Sequence, residues 1–291
     1  MKKLKVKTVR ESHDLIKVHS NQTGPSRPKK NIKTKLYETY QRNHVILPGR
    51  EKALEAFLKK DYKNLKSHKW NNGFSPNSED ALTWSCFDII SQLPFAKKII
   101  ALDEILEDAY DFECDFKFKD KGYSAGDINI FVGREYTGLP KEDTEVDASI
   151  ETKDKLIFFE AKLYSSISLA DKEKDKPHDQ IMRKIRVGLE CAKRNGQDFY
   201  FIFLDIAPFV KLLEFSNEKK GKENAKKNTK GKWKSAWYFK YYKKGWKGSL
   251  TPLRKELDGI EIDNNSLRNV SKNMGWLTWS SLFKTVMRGT I

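Results

Sequence analysis

EVDASIETKDKLIFFEAKLYS, Glu145 to Ser165, carries an acid in one apolar run and closes a second on Glu160-Ala161-Lys162. In a β-strand side chains alternate between faces, so Glu160 and Lys162 share one face while Phe159, Ala161 and Leu163 take the other. Thr152-Lys153-Asp154-Lys155 is polar and suits a turn joining two strands. With Asp147 in the first strand and Glu160 in the second, the hairpin would bring two carboxylates beside one lysine. Mg²⁺ asks for oxygen ligands of this kind, usually one or two carboxylates plus waters and substrate phosphate oxygens. A metal so held lowers the pKa of its water, and Lys162 is the group to orient or deprotonate that water or to neutralise developing charge.

Spacing alone does not single out this stretch, because an acid followed two residues later by lysine also occurs at Asp61-Lys63, Asp115-Lys117, Glu151-Lys153 and Glu218-Lys220. Context does. Leu156-Ile157-Phe158-Phe159 is long enough for a strand buried on both faces. Asp115-Lys117 is the rival, set in the alternation of Phe112, Cys114, Phe116 and Phe118 with charges, which predicts a half-exposed strand over 111–119. The plain alternative for Glu160 and Lys162 is a strand-end ion pair.

Asp147 followed by Glu160-Ala161-Lys162 resembles the PD-(D/E)xK restriction-endonuclease-like nucleases, whose core pairs an Asp-bearing strand with a (D/E)xK strand. Val146 stands where that motif has proline. The resemblance implies an α/β fold with a central mixed β-sheet flanked by helices, Mg²⁺ with Mn²⁺ able to substitute, and cleavage of DNA, double-stranded in the first instance, in restriction or phage defence. It also implies further site residues. Glu79, opening the helix read over Ser75–Leu93, matches an early glutamate that approaches the metal in many such nucleases; the other reading is ordinary stabilisation of a helix N-terminus, with Asn77 or Ser78 as cap. Gln180 matches a glutamine in the helix directly after the (D/E)xK strand, near the metal or scissile phosphate, and Lys184, one turn on, shares its face as a nucleic-acid contact; the other reading is a polar first turn and an exposed lysine. Gly275-Trp276-Leu277-Thr278-Trp279 is similar to endings of restriction-like proteins; two helices are read around it, and its tryptophans are first of all core or a hydrophobic latch. Two-strand cutting would call for a homodimer.

The 291 residues carry a net charge of +16, which predicts attraction to polyanions, nucleic acid before an anionic membrane. Residues 1–77 hold 19 Lys and Arg against 6 Asp and Glu, with an irregular arm at Gly24–Asn31 and a helix at Gly49–Leu65. Three widely spaced cysteines give neither a disulfide framework nor a zinc site. No apolar signal segment or membrane-length run is present, so a cytoplasmic protein is expected.

The remaining elements follow from periodicity. Lys97–Tyr110 predicts a helix with a solvated acidic face, and Gly126–Val132 a strand. Asp127, just ahead of that strand, is the substitute for Asp147. Asp179–Arg194 predicts a helix with Arg183, Lys184, Arg186, Lys193 and Arg194 outside, closed by Gly196. Asp198–Ile206 is a continuous buried strand, so a crossover beside the catalytic strand follows. Asn217–Lys247 has 12 lysines interleaved with aromatics. Its first half reads as a loop and its second as a strand pair, with Lys232, Lys234 and Lys240 as phosphate contacts and the aromatics either core or base-stacking groups. The organisation predicted is a basic N-terminal part at 1–74, a nuclease core at 75–215 and a basic, aromatic C-terminal part at 216–291.

Overall fold

The computed structural model describes residues 36–60, 68–139, 142–171, 176–212 and 233–291. The Gly24–Asn31 arm, Tyr62 and Leu65 of the first predicted helix, the lysine-rich loop and Lys232 lie outside them. The chain divides into two compact units, Met1–Ser85 and Cys86–Ile291.

In the first unit, α1 (Glu51–Lys59) buries Leu54, Phe57 and Leu58, and α2 (His68–Gly73) supplies Trp70, whose ring lies 5.3 Å from Tyr40. Helix α3 (Glu79–Gln92) opens in this unit on Ser78, whose hydroxyl accepts the Ala81 N–H at 3.1 Å.

The second unit is α/β. Five strands, β1 (Asn129–Thr137), β2 (Asp143–Glu151), β3 (Lys155–Ala161), β4 (Asp198–Asp205) and β5 (Met274–Thr278), lie in that spatial order. The pairs β1–β2 and β2–β3 are antiparallel, while β3–β4 and β4–β5 are parallel. The mixed sheet expected from the sequence is present. Strand β3 is buried at every position, as its unbroken apolar run requires.

Helix α5 (Gln180–Asn195) makes the crossover from β3 to β4. Asp179 caps it, accepting the Met182 N–H at 3.0 Å, and Gly196, at φ 66, ends it in the left-handed conformation that suits glycine. Ile181 and Ile185 join Leu156, Phe158, Phe199, Phe201 and Phe203 in one core on this face of the sheet. On the other face Phe87 of α3 packs edge-on against Phe159, ring centroids 4.7 Å apart. Gly188 of α5 sits where a Cβ would fall inside the Phe199 ring. Gly188→Ala should therefore lower stability by about 1–3 kcal/mol despite the better helix propensity of alanine, read by urea unfolding.

Three elements differ from expectation. The alternating segment 111–119 is not a strand: Asp111 and Phe112 take φ of 50° and 62°, turning the chain after α4 (Phe95–Ala109). The alternation serves anchoring instead, with Phe116 and Phe118 buried and the Asp103 carboxylate accepting Phe118 N–H at 2.5 Å and Lys119 N–H at 3.2 Å. The acids of α4 are thus not a solvated face. Asp103 is buried, and Glu104 and Asp108 pair with Arg288 and Lys284 of α9 (Trp279–Thr290) at 2.5 and 2.6 Å.

The expected strand pair at 233–247 is a helix, α6 (Trp233–Lys243), which buries Ala236, Phe239 and Tyr242 at three-residue spacing. Gly275–Trp279 lies between two helices as read, but is itself mostly a strand, β5, which follows α7 (Thr251–Glu256) and α8 (Asn264–Lys272) and leads into α9. Both tryptophans are core, Trp276 stacking on Phe203 with centroids 4.8 Å apart. Cys86, Cys114 and Cys191 are free. Among the described residues no helix is long and apolar enough to cross a membrane.

Candidate active site

The β2–β3 ladder runs from Glu151 opposite Leu156 to Ala148 opposite Phe159. One step further the pairing changes character. The Ala161 N–H donates to the Asp147 carboxylate, 2.6 Å from Oδ2. A side chain thus takes the place a strand carbonyl would fill, and it seats the Asp147 carboxylate on the main chain next to Glu160. Gly133 occupies the matching step in the β1 register, between Val132 opposite Ala148 and Arg134 opposite Val146. Its φ of 62° is open to glycine, and it bends β1 where β2 leaves the regular ladder.

Glu160 has no exposed surface. Lys162 Nζ donates to its Oε1 at 2.6 Å and to the Ala161 carbonyl at 3.0 Å, while Lys184 Nζ stands 3.2 Å from Oε2. Each carboxylate oxygen of Glu160 therefore faces one ammonium group. Burial pushes the Glu160 carboxyl up, but the two ammonium charges outweigh it and hold the group below the usual carboxylate range. Lys162 is fixed through its backbone as well. Its N–H donates to the Leu204 carbonyl at 2.7 Å, and its carbonyl accepts the Trp279 indole N–H at 3.1 Å. The tryptophan ending therefore clamps the backbone of the lysine just past the end of β3.

Lys184 corrects the expectation that it lies outside: it is buried, as is Arg186, which forks onto Glu142 at 2.7 Å. A lysine this far inside is tolerated because α5 delivers its ammonium to Glu160. Gln180 sits one turn earlier. Its side-chain oxygen accepts the Ser168 N–H at 3.0 Å and its own N–H donates to the Ser168 carbonyl at 2.8 Å, fastening the start of α5 to the segment after β3. Glu79 belongs to the N-terminal unit, in the first turn of α3.

Of the other predicted phosphate contacts, Lys234 is buried and Lys240 exposed. Asp127, the alternative to Asp147, lies in the short 3-10 turn Ala125–Asp127 ahead of β1. It closes a capping box on Ser124, accepting its N–H at 2.6 Å and its hydroxyl at 2.7 Å. The rival Asp115 accepts the Tyr200 hydroxyl at 2.6 Å and pairs with Lys272 at 3.0 Å, anchoring β4 and α8.

Sequence reasoning passed over Asp205. It ends β4 one residue after Leu204, which pairs with Ala161, so the register brings it next to Lys162, and it is fully buried. The available signal was that DFYFIFLD, like LIFFE, is an apolar run closed by an acid.

Asp147 and Glu160 supply the oxygen donors and the number of carboxylates that Mg²⁺ commonly takes. The donor chemistry fits such an ion. Among the described residues, no group of three or more His, Cys, Asp or Glu side chains gathers closely enough to hold a metal by protein ligands alone. No protein-family model, curated protein or solved structure matches the chain.

Proposed function

We propose that this chain is a metal-dependent nuclease of the PD-(D/E)xK type that hydrolyses phosphodiester bonds in DNA, in the manner of restriction or phage defence. One observation carries the reading: the Asp147 carboxylate is bonded to the β3 main chain beside Glu160, with Lys162 directly after the end of that strand and bonded to Glu160. This agrees with the Asp-bearing and (D/E)xK strands of that family. The net charge of +16 supports a polyanionic substrate.

Asp147 and Glu160 would hold Mg²⁺ or Mn²⁺. When bound, such an ion supplies Lewis-acid stabilisation of the phosphate and a water of lowered pKa. Lys162 would orient the attacking water and exchange a proton with it, and Lys184 would offset charge on the scissile phosphate. Burial by β4, α5 and Trp279 keeps both amines in a fixed place, so little reorganisation accompanies the reaction.

A second reading, a nucleic-acid-binding protein that keeps these groups without cutting, is favoured by the pairing of Glu160 with two ammonium groups, which neutralises the acid internally. Purified protein incubated with plasmid, single-stranded DNA and RNA separates the readings. Nicking or linearisation of DNA with Mg²⁺ or Mn²⁺, and none in EDTA, is expected. Retention of DNA without cutting under either ion would establish the binder, and cutting of RNA alone would make it a ribonuclease.

A further inference from the structure

We propose that the exposed face of α6 is a stacking platform for unpaired nucleobases, so that the chain engages nucleic acid with single-stranded character. Trp237 and Tyr241 are 43% and 36% exposed, while Phe239 and Tyr242 of the same helix are 1% exposed. The two exposed rings lie nearly parallel, 9° between planes and 5.2 Å between centroids. Lys240 and Lys244 are exposed beside them, so 237, 240, 241 and 244 follow the three- and four-residue steps of one helix face.

Two large rings left in water forgo the burial that α6 gives to Phe239 and Tyr242. Held parallel, they present flat π-surface of the kind that takes a further planar ring, and every base has such a face. Charge selects among planar partners. Lys240 and Lys244 are the exposed charges that step along α6 with the two rings, and Asp179 and Glu256, acids that reach the helix, act on Tyr238 and Tyr242, so the ring face offers cations to a phosphate backbone.

The platform is also rigidly mounted. Tyr242 donates its hydroxyl to Asp179, the cap of α5, and the Ser235 hydroxyl accepts the Ile167 N–H at 3.4 Å. Through Asp179 the helix is tied directly ahead of Gln180, so a strand held on α6 is anchored to the element that carries Lys184.

This takes from the preceding section only that the partner is nucleic acid, and binding measured in EDTA keeps its failure distinct from a failure of cleavage. Fluorescence anisotropy of a labelled oligothymidylate, a blunt duplex of equal length and anionic phospholipid vesicles as competitor provides the test. The Trp237→Ala, Tyr241→Ala double variant should lose about tenfold in affinity for oligothymidylate and less than about twofold for duplex. Trp237→Phe with Tyr241→Phe should stay within about threefold of wild type, since the π-faces remain. Oligothymidylate affinity unchanged in the alanine variant overturns the proposal. So does an equal loss for both nucleic acids, or a loss confined to vesicles.

Discussion

Replacing Glu160 with glutamine is expected to lower the unfolding free energy by about 3–5 kcal/mol, the range seen when one member of a buried charge group is removed. Glu160 is the shared anion between Lys162 and Lys184, at 2.6 and 3.2 Å, and both lysine side chains are 8% exposed. Glutamine keeps an oxygen for Lys162 but removes the negative charge that both buried ammonium groups face. Adding Lys184→Met to Glu160→Gln should recover more than half of the loss, because methionine replaces a buried charge with an apolar chain of similar length. Urea unfolding of wild type, both single variants and the double variant gives the coupling directly. The pH dependence has a definite sign. The Glu160 carboxyl is held below its ordinary range, so its contribution is complete above the unfolded carboxylate range and fades as pH falls through the depressed folded value. The acid limb of the stability curve should flatten in Glu160→Gln. A glutamine variant as stable as wild type would show that the three groups do not form a buried unit.

The β2–β3 hairpin was legible because its signals are local. An uninterrupted apolar run gave β3, a polar four-residue stretch gave the turn, and Asp179 and Gly196 marked both ends of α5. Strand β5 was not legible for the opposite reason: MGWLT has no alternation, and its status as a strand comes from pairing with β4, some seventy residues earlier, as Phe201 with Met274 through Asp205 with Thr278. Segment 111–119 shows the converse error. Its alternation is genuine, but Asp111 and Phe112 turn the backbone, and the aromatic side chains pack one by one instead of forming a ladder edge.

Within the site, residue types were readable and their burial was not. A lysine on a helix reads as exposed until something across the fold answers its charge. For Lys184 that answer is Glu160, on a strand 24 positions away. Lys234 and Arg186 were misjudged on the same grounds. Aromatic residues in α6 raised strand propensity locally, yet the three-residue spacing of Ala236, Phe239 and Tyr242 carries the helix, and tertiary burial decided between them.

If the chain cuts phosphodiesters, Asp147→Asn should reduce the cleavage rate by about three orders of magnitude, since removing a metal-binding carboxylate forfeits several kcal/mol of transition-state stabilisation. The fold should tolerate the change. The substituted amide would retain a carbonyl oxygen able to accept the Ala161 N–H that now donates to Asp147 Oδ2 at 2.6 Å, so the junction between β2 and β3 survives with only its charge removed. An unfolding free energy within about 1 kcal/mol of wild type is expected, the scale of one hydrogen bond's net contribution. That separation of activity from stability is unavailable at Glu160, where charge removal strikes both. Binding to uncut DNA in EDTA should not weaken, because the substitution removes no cationic group. A time course of plasmid cleavage at matched protein concentration, with unfolding curves for the same preparations, provides the comparison. Cleavage by Asp147→Asn within about threefold of a robustly cutting wild type would remove Asp147 from the catalytic set, and with it the pairing of two carboxylates on which hydrolysis at this junction depends.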